Sequence, residues 1–296
     1  MPSHSIKSSS TFKTLRTVDD VLSQAEETLD VDASLAETYN RIMKLTTHNK
    51  NLARDTIEEL YDPLKILVPV SANPEALLKS MFMHRVVLSG IQATSFFYPL
   101  CEFVDAPWDF FCSNRYDSEG FIMEITQSCG LDRIENITAD NGTRVVYFRR
   151  NMNGETKPIN IRVYISDDEP VHSVLSQPAS YQQSFVSAVG AVCFWPRLNK
   201  KKLYRRFDNN ISRMVYPTGK TALTINMQKM SRTAPRTPSS TPSIYTAADN
   251  RTEMVVFKNK CGADKAAFKK ESKKLENIVY AVSDKSTKYL GDMGDM

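Results

Sequence analysis

Cysteine is sparse and unpatterned in this chain. Cys101, Cys112, Cys129, Cys193 and Cys261 are odd in number and contain no CxxC pair, which argues against a disulfide framework and against a structural zinc site. Nowhere do about twenty consecutive apolar residues occur, so no segment reads as a membrane-spanning helix. The N-terminal stretch MPSHSIKSSSTFK lacks the apolar centre of a signal peptide, and the expectation is an intracellular protein, cytoplasmic or nuclear, with no membrane partner. The Asn-x-Ser/Thr sequons at Asn136, Asn141, Asn210 and Asn250 then read as turn chemistry. Histidine is scarce too. His4, His48, His84 and His172 are scattered, and none stands in a pattern that would activate a serine or cysteine nucleophile. The stretch Pro217-Thr218-Gly219-Lys220-Thr221 resembles the end of a phosphate-binding loop. The glycine that such a loop needs five residues earlier is Met214, so the loop cannot close around phosphate.

What remains is an ordinary globular composition. With 296 residues, 41% hydrophobic and 24% charged, the chain can build a sizeable core without covalent support. Its net charge of +4 is small but unevenly placed. Arg197, Lys200, Lys201, Lys202, Arg205 and Arg206 fall in one stretch without an acid, and a second lysine-rich stretch runs from Lys258 to Lys288. Both are candidate contacts for nucleic acid or another polyanion, and both also fit a solvated helix face.

The order of elements points to an α+β fold. Residues 1–16 are Ser/Thr/Lys-rich and read as a disordered tail. A helical segment covers 17–72, with Ser34 and Glu37 forming a capping box. Asn73-Pro74 opens the core, 73–230, with a helix that leads into strand Arg85–Ser89. A short helix, strand Trp108–Cys112 and helix Ser118–Cys129 follow. Residues 133–139 and 144–150 flank an Asn-Gly hairpin turn, and Ile159–Ile165 alternates as a half-buried strand. Ala179–Trp195 has helical periodicity, and the basic segment after it reads as helical. A Ser/Thr/Pro-rich linker spans 231–250. The remainder, 251–296, reads as a short strand and a lysine-rich helix over Ala263–Leu290. The expected product is a mixed sheet of about four to six strands flanked by helices, with helical extensions at both ends.

One stretch carries a candidate site. In VVLSGIQATSFFYPLCEFVDAPWDFFC, a strand ends at Gly90-Ile91-Gln92-Ala93, and a second strand carries Asp109. Nucleotidyl transfer needs a small turn where phosphates approach backbone N–H groups. It also needs carboxylates from adjacent strands to hold two Mg²⁺ ions. The stretch resembles the core of the nucleotidyltransferase fold, in which a Gly-Ser turn precedes a D-x-D strand. More narrowly, it is similar to a group of uncharacterised fungal proteins with that fold, whose members read approximately G-S-R-A, paired aromatics, and S-D-W-D-F. The counterparts here are Gly90–Ala93, Phe96-Phe97 and Ala106–Phe110. A second patch matches their V-Q-x-F helix, Gly-Ala and basic run with Tyr181–Phe185, Gly190-Ala191, Leu198 and Lys200–Arg206, so the resemblance covers about residues 75–210.

The resemblance implies metal-dependent chemistry, and the departures from it remove the means. Ile91 stands where a serine would contact phosphate, and Pro107 where the first metal carboxylate would sit. Asp109 remains, with Asp105 as a conceivable substitute, but a proline between them disfavours a regular strand. The polar face of Ile159–Ile165 offers Asn160, Arg162 and Tyr164, none of them an acid. The expectation is a catalytically degenerate nucleotidyltransferase-like domain, a binding or regulatory module with no cofactor. Its possible partners are a nucleotide, a nucleic acid or a protein, with Gly90, Ile91, Gln92 and the basic residues Arg197–Arg206 as contacts. One alternative is an active enzyme holding Mg²⁺ through Asp105, Asp109 and one of Asp167, Asp168 or Glu169. Another is a nucleic-acid-binding protein that uses the 197–206 segment.

Overall fold

A computed structural model describes residues 17–29, 33–47, 49–98, 106–129, 131–138, 142–150, 159–177, 179–197, 252–282 and 287–292, with short segments at 203–204, 228–229 and 243–246. The tail 1–16, the hairpin turn 139–141, the linker over 231–242, and Asp105, Lys200, Lys201, Lys202, Arg205 and Arg206 lie outside the described residues.

Local signals fix the N-terminal helices. Thr17 closes a capping box on α1 (Val18–Thr28) with Asp20, and Ser34 does the same on α2 (Leu35–Leu45) with Glu37. Asn49 caps α3 (Lys50–Leu60), and these three helices pack around Val21, Ile42 and Ala53. Asp62 and Asn73 cap α4 (Pro63–Leu67) and α5 (Pro74–Met83), each with proline at the first helical position. The helical segment is joined to the rest. Leu35 N–H donates to Glu253 at 3.1 Å, and Lys260 pairs with Asp62 at 2.6 Å.

The core is an α+β arrangement around a mixed, open sheet. After α5 come β1 (Val87–Ser89), α6 (Gly90–Phe96), β2 (Trp108–Ser113), α7 (Ser118–Cys129), β3 (Asp132–Thr138), β4 (Arg144–Arg150), β5 (Ile159–Ser166), α8 (Pro170–Leu175), β6 (Ser184–Val186) and β7 (Gly190–Cys193). Two-residue strands β8 (Leu203–Tyr204) and β9 (Gln228–Lys229) pair with each other. The chain ends with β10 (Ser243–Thr246), β11 (Glu253–Val256), α9 (Lys265–Glu276), β12 (Ile278–Val282) and β13 (Thr287–Asp292). The main sheet has eight strands in the order β11-β7-β6-β1-β2-β5-β4-β3, and β10-β12-β13 form a second sheet. Neighbours in the main sheet are antiparallel except β2 and β5, which run parallel.

Apolar side chains cover both faces of this sheet. On one face Leu78, Met81, Leu88, Phe97, Phe110, Phe121 and Val163 join α5, α6 and α7 to the strands. On the other, Phe111, Tyr164, Val174, Leu175, Phe185 and Leu275 bring in α8 and α9. The outer strand β3 carries Asp132, Arg133 and Glu135 and a register irregularity between Arg133 and Glu135, features that discourage further pairing at that edge.

Three expectations from the sequence are corrected. The sheet is wider than four to six strands because Ala179–Trp195 is not a helix. It forms a single 3₁₀ turn and then the β6–β7 hairpin. The turn closes locally: Ser187 Oγ accepts N–H bonds from Val189 (3.3 Å) and Gly190 (3.2 Å). Gly190 is required there, because a Cβ would stand 2.5 Å from the Val255 carbonyl oxygen of β11. The lysine-rich helix stops at Glu276 instead of Leu290, and the chain continues as β12 and β13, where Ile278, Val279, Tyr280 and Val282 favour extended backbone. Finally, β5 is buried on both faces from Ile161 onward instead of half-buried, since the second cluster covers Arg162 and Tyr164. The C-terminal part joins the core: β11 extends the main sheet, and Phe268 of α9 stacks on Phe82 of α5 at 6.3 Å.

Candidate functional site

Three adjacent strands place one row of residues side by side. Ser89 of β1 pairs in register with Asp109 of β2, and Asp109 pairs with Arg162 of β5. Alternation along β2 sends Trp108, Phe110 and Cys112 into the core below α5 and α7, and turns Asp109 and Phe111 to the opposite face. The same alternation along β5 turns Arg162 and Tyr164 to that face, so the carboxylate and the guanidinium meet.

They meet as a fork. Arg162 Nε donates to Asp109 Oδ1 at 2.6 Å, and Nη2 donates to Oδ2 at 2.8 Å. The pair is sequestered, with the two side chains only 5% and 9% exposed. Below the guanidinium lies the Tyr164 ring, 5.7 Å from its centroid, and Tyr164 stacks on Phe111 at 4.7 Å. Burial pushes the Asp109 carboxyl above its ordinary value, while the Arg162 charge and hydrogen bonds pull it back down. Charge neutralisation by a close, geometrically matched partner is what allows two ions to sit in a core of aromatic rings.

The turn beside this pair is closed as well. Gly90 has φ +75, and a Cβ there would lie 3.0 Å from Asp109 Oδ2. The space that a phosphate would need against a glycine backbone is therefore taken by the protein's own carboxylate. Ser89, fully buried, shares its hydroxyl proton between the carbonyl oxygens of Gln182 (3.0 Å) and Ser184 (2.8 Å).

The other candidate residues are distributed as follows. Ile91 is buried hydrocarbon on α6. Gln92, also buried, donates from Nε2 to the Ala106 carbonyl at 3.0 Å and ties α6 to the start of β2. Pro107 immediately precedes β2 and brings no oxygen ligand from its side chain. Asp167, Asp168 and Glu169 follow Ser166, which is four register positions from Arg162 along β5, or about 13 Å at the usual strand rise. They do not converge on Asp109. Asp167 accepts from Asn114 at 2.9 Å, Asp168 lies 3.2 Å from His172 Nδ1, and Glu169 accepts from the Tyr116 hydroxyl. Arg197 is exposed just after Pro196.

Mg²⁺ requires several oxygen ligands in near-octahedral geometry. In this row a single carboxylate has both oxygens bonded by a cation, and the neighbouring strand offers Arg162 where an acid would be needed. Among the described residues no group of three histidine, cysteine or acidic side chains is placed to hold a metal ion. The described residues of this row do not fit a divalent ion.

Sequence reasoning missed a cluster at the opposite end of the same strands. Arg85, at φ +51, lies over the Tyr116 ring at 4.5 Å and pairs with Glu271 at 3.3 Å. Tyr116 donates to Glu169, which lies 3.9 Å from Arg115. No local pattern announces it, because its members come from β1's approach, the turn after β2, the start of α8 and the distant α9. No protein-family model matches the chain, and no match is found among curated proteins.

Proposed function

We propose that this chain is a nucleotidyltransferase-like domain without catalytic capacity, acting as a binding or regulatory module. The observation that carries the reading is the buried Asp109–Arg162 fork, in which an arginine occupies the register position of the missing acid. The frame around it supports the same reading: a strand, a glycine turn at positive φ, a helix, then an antiparallel strand with Asp109 and a parallel neighbour. Within such a frame, an acid on β5 beside Asp109 would hold metal. A guanidinium in that place repels it and satisfies the remaining carboxylate.

Calorimetric titration of the full chain with Mg²⁺ and each nucleoside triphosphate tests the proposal. No magnesium-dependent heat is expected. Magnesium-dependent binding that disappears in Asp109→Asn would overturn it and restore the shifted-ligand enzyme. Binding through the basic 197–206 segment remains a separate route to nucleic acid, and its signature is affinity that falls steeply with salt.

A further inference from the structure

At the far end of β1 and β2 from the Asp109 row lies a cavity of about 420 Å³, within the ordinary size range for small-molecule sites. Its floor is hydrocarbon and aromatic, formed by Val87, Val171, Phe185, Val189, Leu275 and Ile278. The rim is polar, made by the Arg85–Tyr116–Glu169–Arg115 cluster with Glu271 and Lys274 of α9. An apolar chamber beneath a ring of hydrogen-bonding groups suits a molecule with a greasy body and a polar head.

The rim's charges select the head. Three cations, Arg85, Arg115 and Lys274, face two carboxylates, Glu169 and Glu271. Each carboxylate is already engaged twice: Glu271 by Arg85 at 3.3 Å and Lys274 at 3.5 Å, and Glu169 by Tyr116 and, at 3.9 Å, by Arg115. Two guanidinium groups and an ammonium carry far more N–H donors than two carboxylates can accept. The rim therefore has donors and one positive charge in excess, which one added anionic acceptor would balance. The backbone adds a further mark, since Arg85 is held in the left-handed region, and such strain concentrates at ligand sites.

We infer that this cavity binds a monoanionic amphiphile, a free carboxylic acid whose apolar body fills the chamber while its head meets Arg115 and Lys274 at the rim. The cavity touches the Asp109 row at Phe185, the register partner of Ser89, but its rim lies at the other end of the strands, and neither conclusion depends on the other.

The test uses the full chain with anilinonaphthalene sulfonate as a fluorescent probe and three twelve-carbon competitors: dodecanoate, dodecan-1-ol and dodecyltrimethylammonium. Dodecanoate should displace the probe at one equivalent, with affinity about tenfold or more above the alcohol and the cation. Arg115→Gln/Lys274→Gln, at solvent-accessible positions, should lower dodecanoate affinity about tenfold while leaving the alcohol unchanged. Val171→Trp, at a half-buried position of the apolar lining, should abolish displacement, and Asp109→Leu/Arg162→Met should leave it intact. Equal affinity for acid, alcohol and cation, or an undiminished response in the Arg115/Lys274 double variant, would overturn the inference. So would full dodecanoate binding by a folded Val171→Trp protein.

Discussion

Replacing Arg162 by methionine removes the guanidinium and keeps most of the volume. What remains is an Asp109 side chain 9% exposed, facing Phe111 and Tyr164 without a counter-charge. Breaking a buried pair from one side costs about 3–5 kcal/mol, a large share of the roughly 5–15 kcal/mol that holds a domain together. Replacing both partners, as in Asp109→Leu/Arg162→Met, leaves no uncompensated ion and should fall within about 1 kcal/mol of the parent or above it. The double-mutant cycle should then give a coupling of about 3 kcal/mol or more. The pH dependence supplies a second signature. Burial is the largest influence on Asp109 and acts upward, and Arg162 is the influence that opposes it. In Arg162→Met the folded pKa therefore rises further above the unfolded value of about 3.9. A native state with the higher pKa binds the proton more tightly. The variant's stability is therefore fully present below about pH 4 and declines as pH rises toward the folded pKa, by about 1.4 kcal/mol per pH unit. Urea unfolding, followed through Trp108 and Trp195 at pH 4, 6 and 8, measures both effects. A loss below about 1 kcal/mol at pH 8, a loss equal at pH 4 and 8, or a double variant as weak as the single one would refute the desolvated-pair argument.

Gly90→Ala should destabilise the protein by about 2 kcal/mol, through left-handed strain and contact with Asp109, and urea midpoints would show it. Gly190→Ala should loosen β11 from β7, because the added methyl meets the Val255 carbonyl at 2.5 Å; faster amide exchange confined to β11 and the β6–β7 hairpin is the expected record. The Cys112 thiol, pushed up to about 12 chiefly by burial, should stay unreactive toward a disulfide reagent at pH 8 in the native protein and react only as fast as the chain opens.

The helices and the first strands were legible because their signals are local. Asn73-Pro74, Ser34 with Glu37, and the alternation of Ile159–Ile165 each say what the next few residues must do. Residues 184–193 misled because Phe185, Val189 and Val192 repeat at helical spacing, while the force that decides their conformation is pairing with β1 and β11, far away in sequence. The candidate site divided in the same way. Asp109 and the absence of an acid on β5 could both be read directly. Their union could not, because it depends on the parallel register that sets Asp109 opposite Arg162, and the helix and hairpin between the two strands carry no trace of that register.

The position of β11 has a consequence for biosynthesis. As the nascent chain leaves the ribosome, the β6–β7 hairpin can dock on β1 early, but the outer margin of β7 waits for Glu253–Val256 to be translated. At about 5–20 residues per second, the roughly sixty intervening residues leave that margin bare for about 3–12 s. Throughout that interval the outer margin of Gly190–Cys193 lacks the strand that covers it in the finished fold, and an open edge of this kind is a template for pairing with another chain.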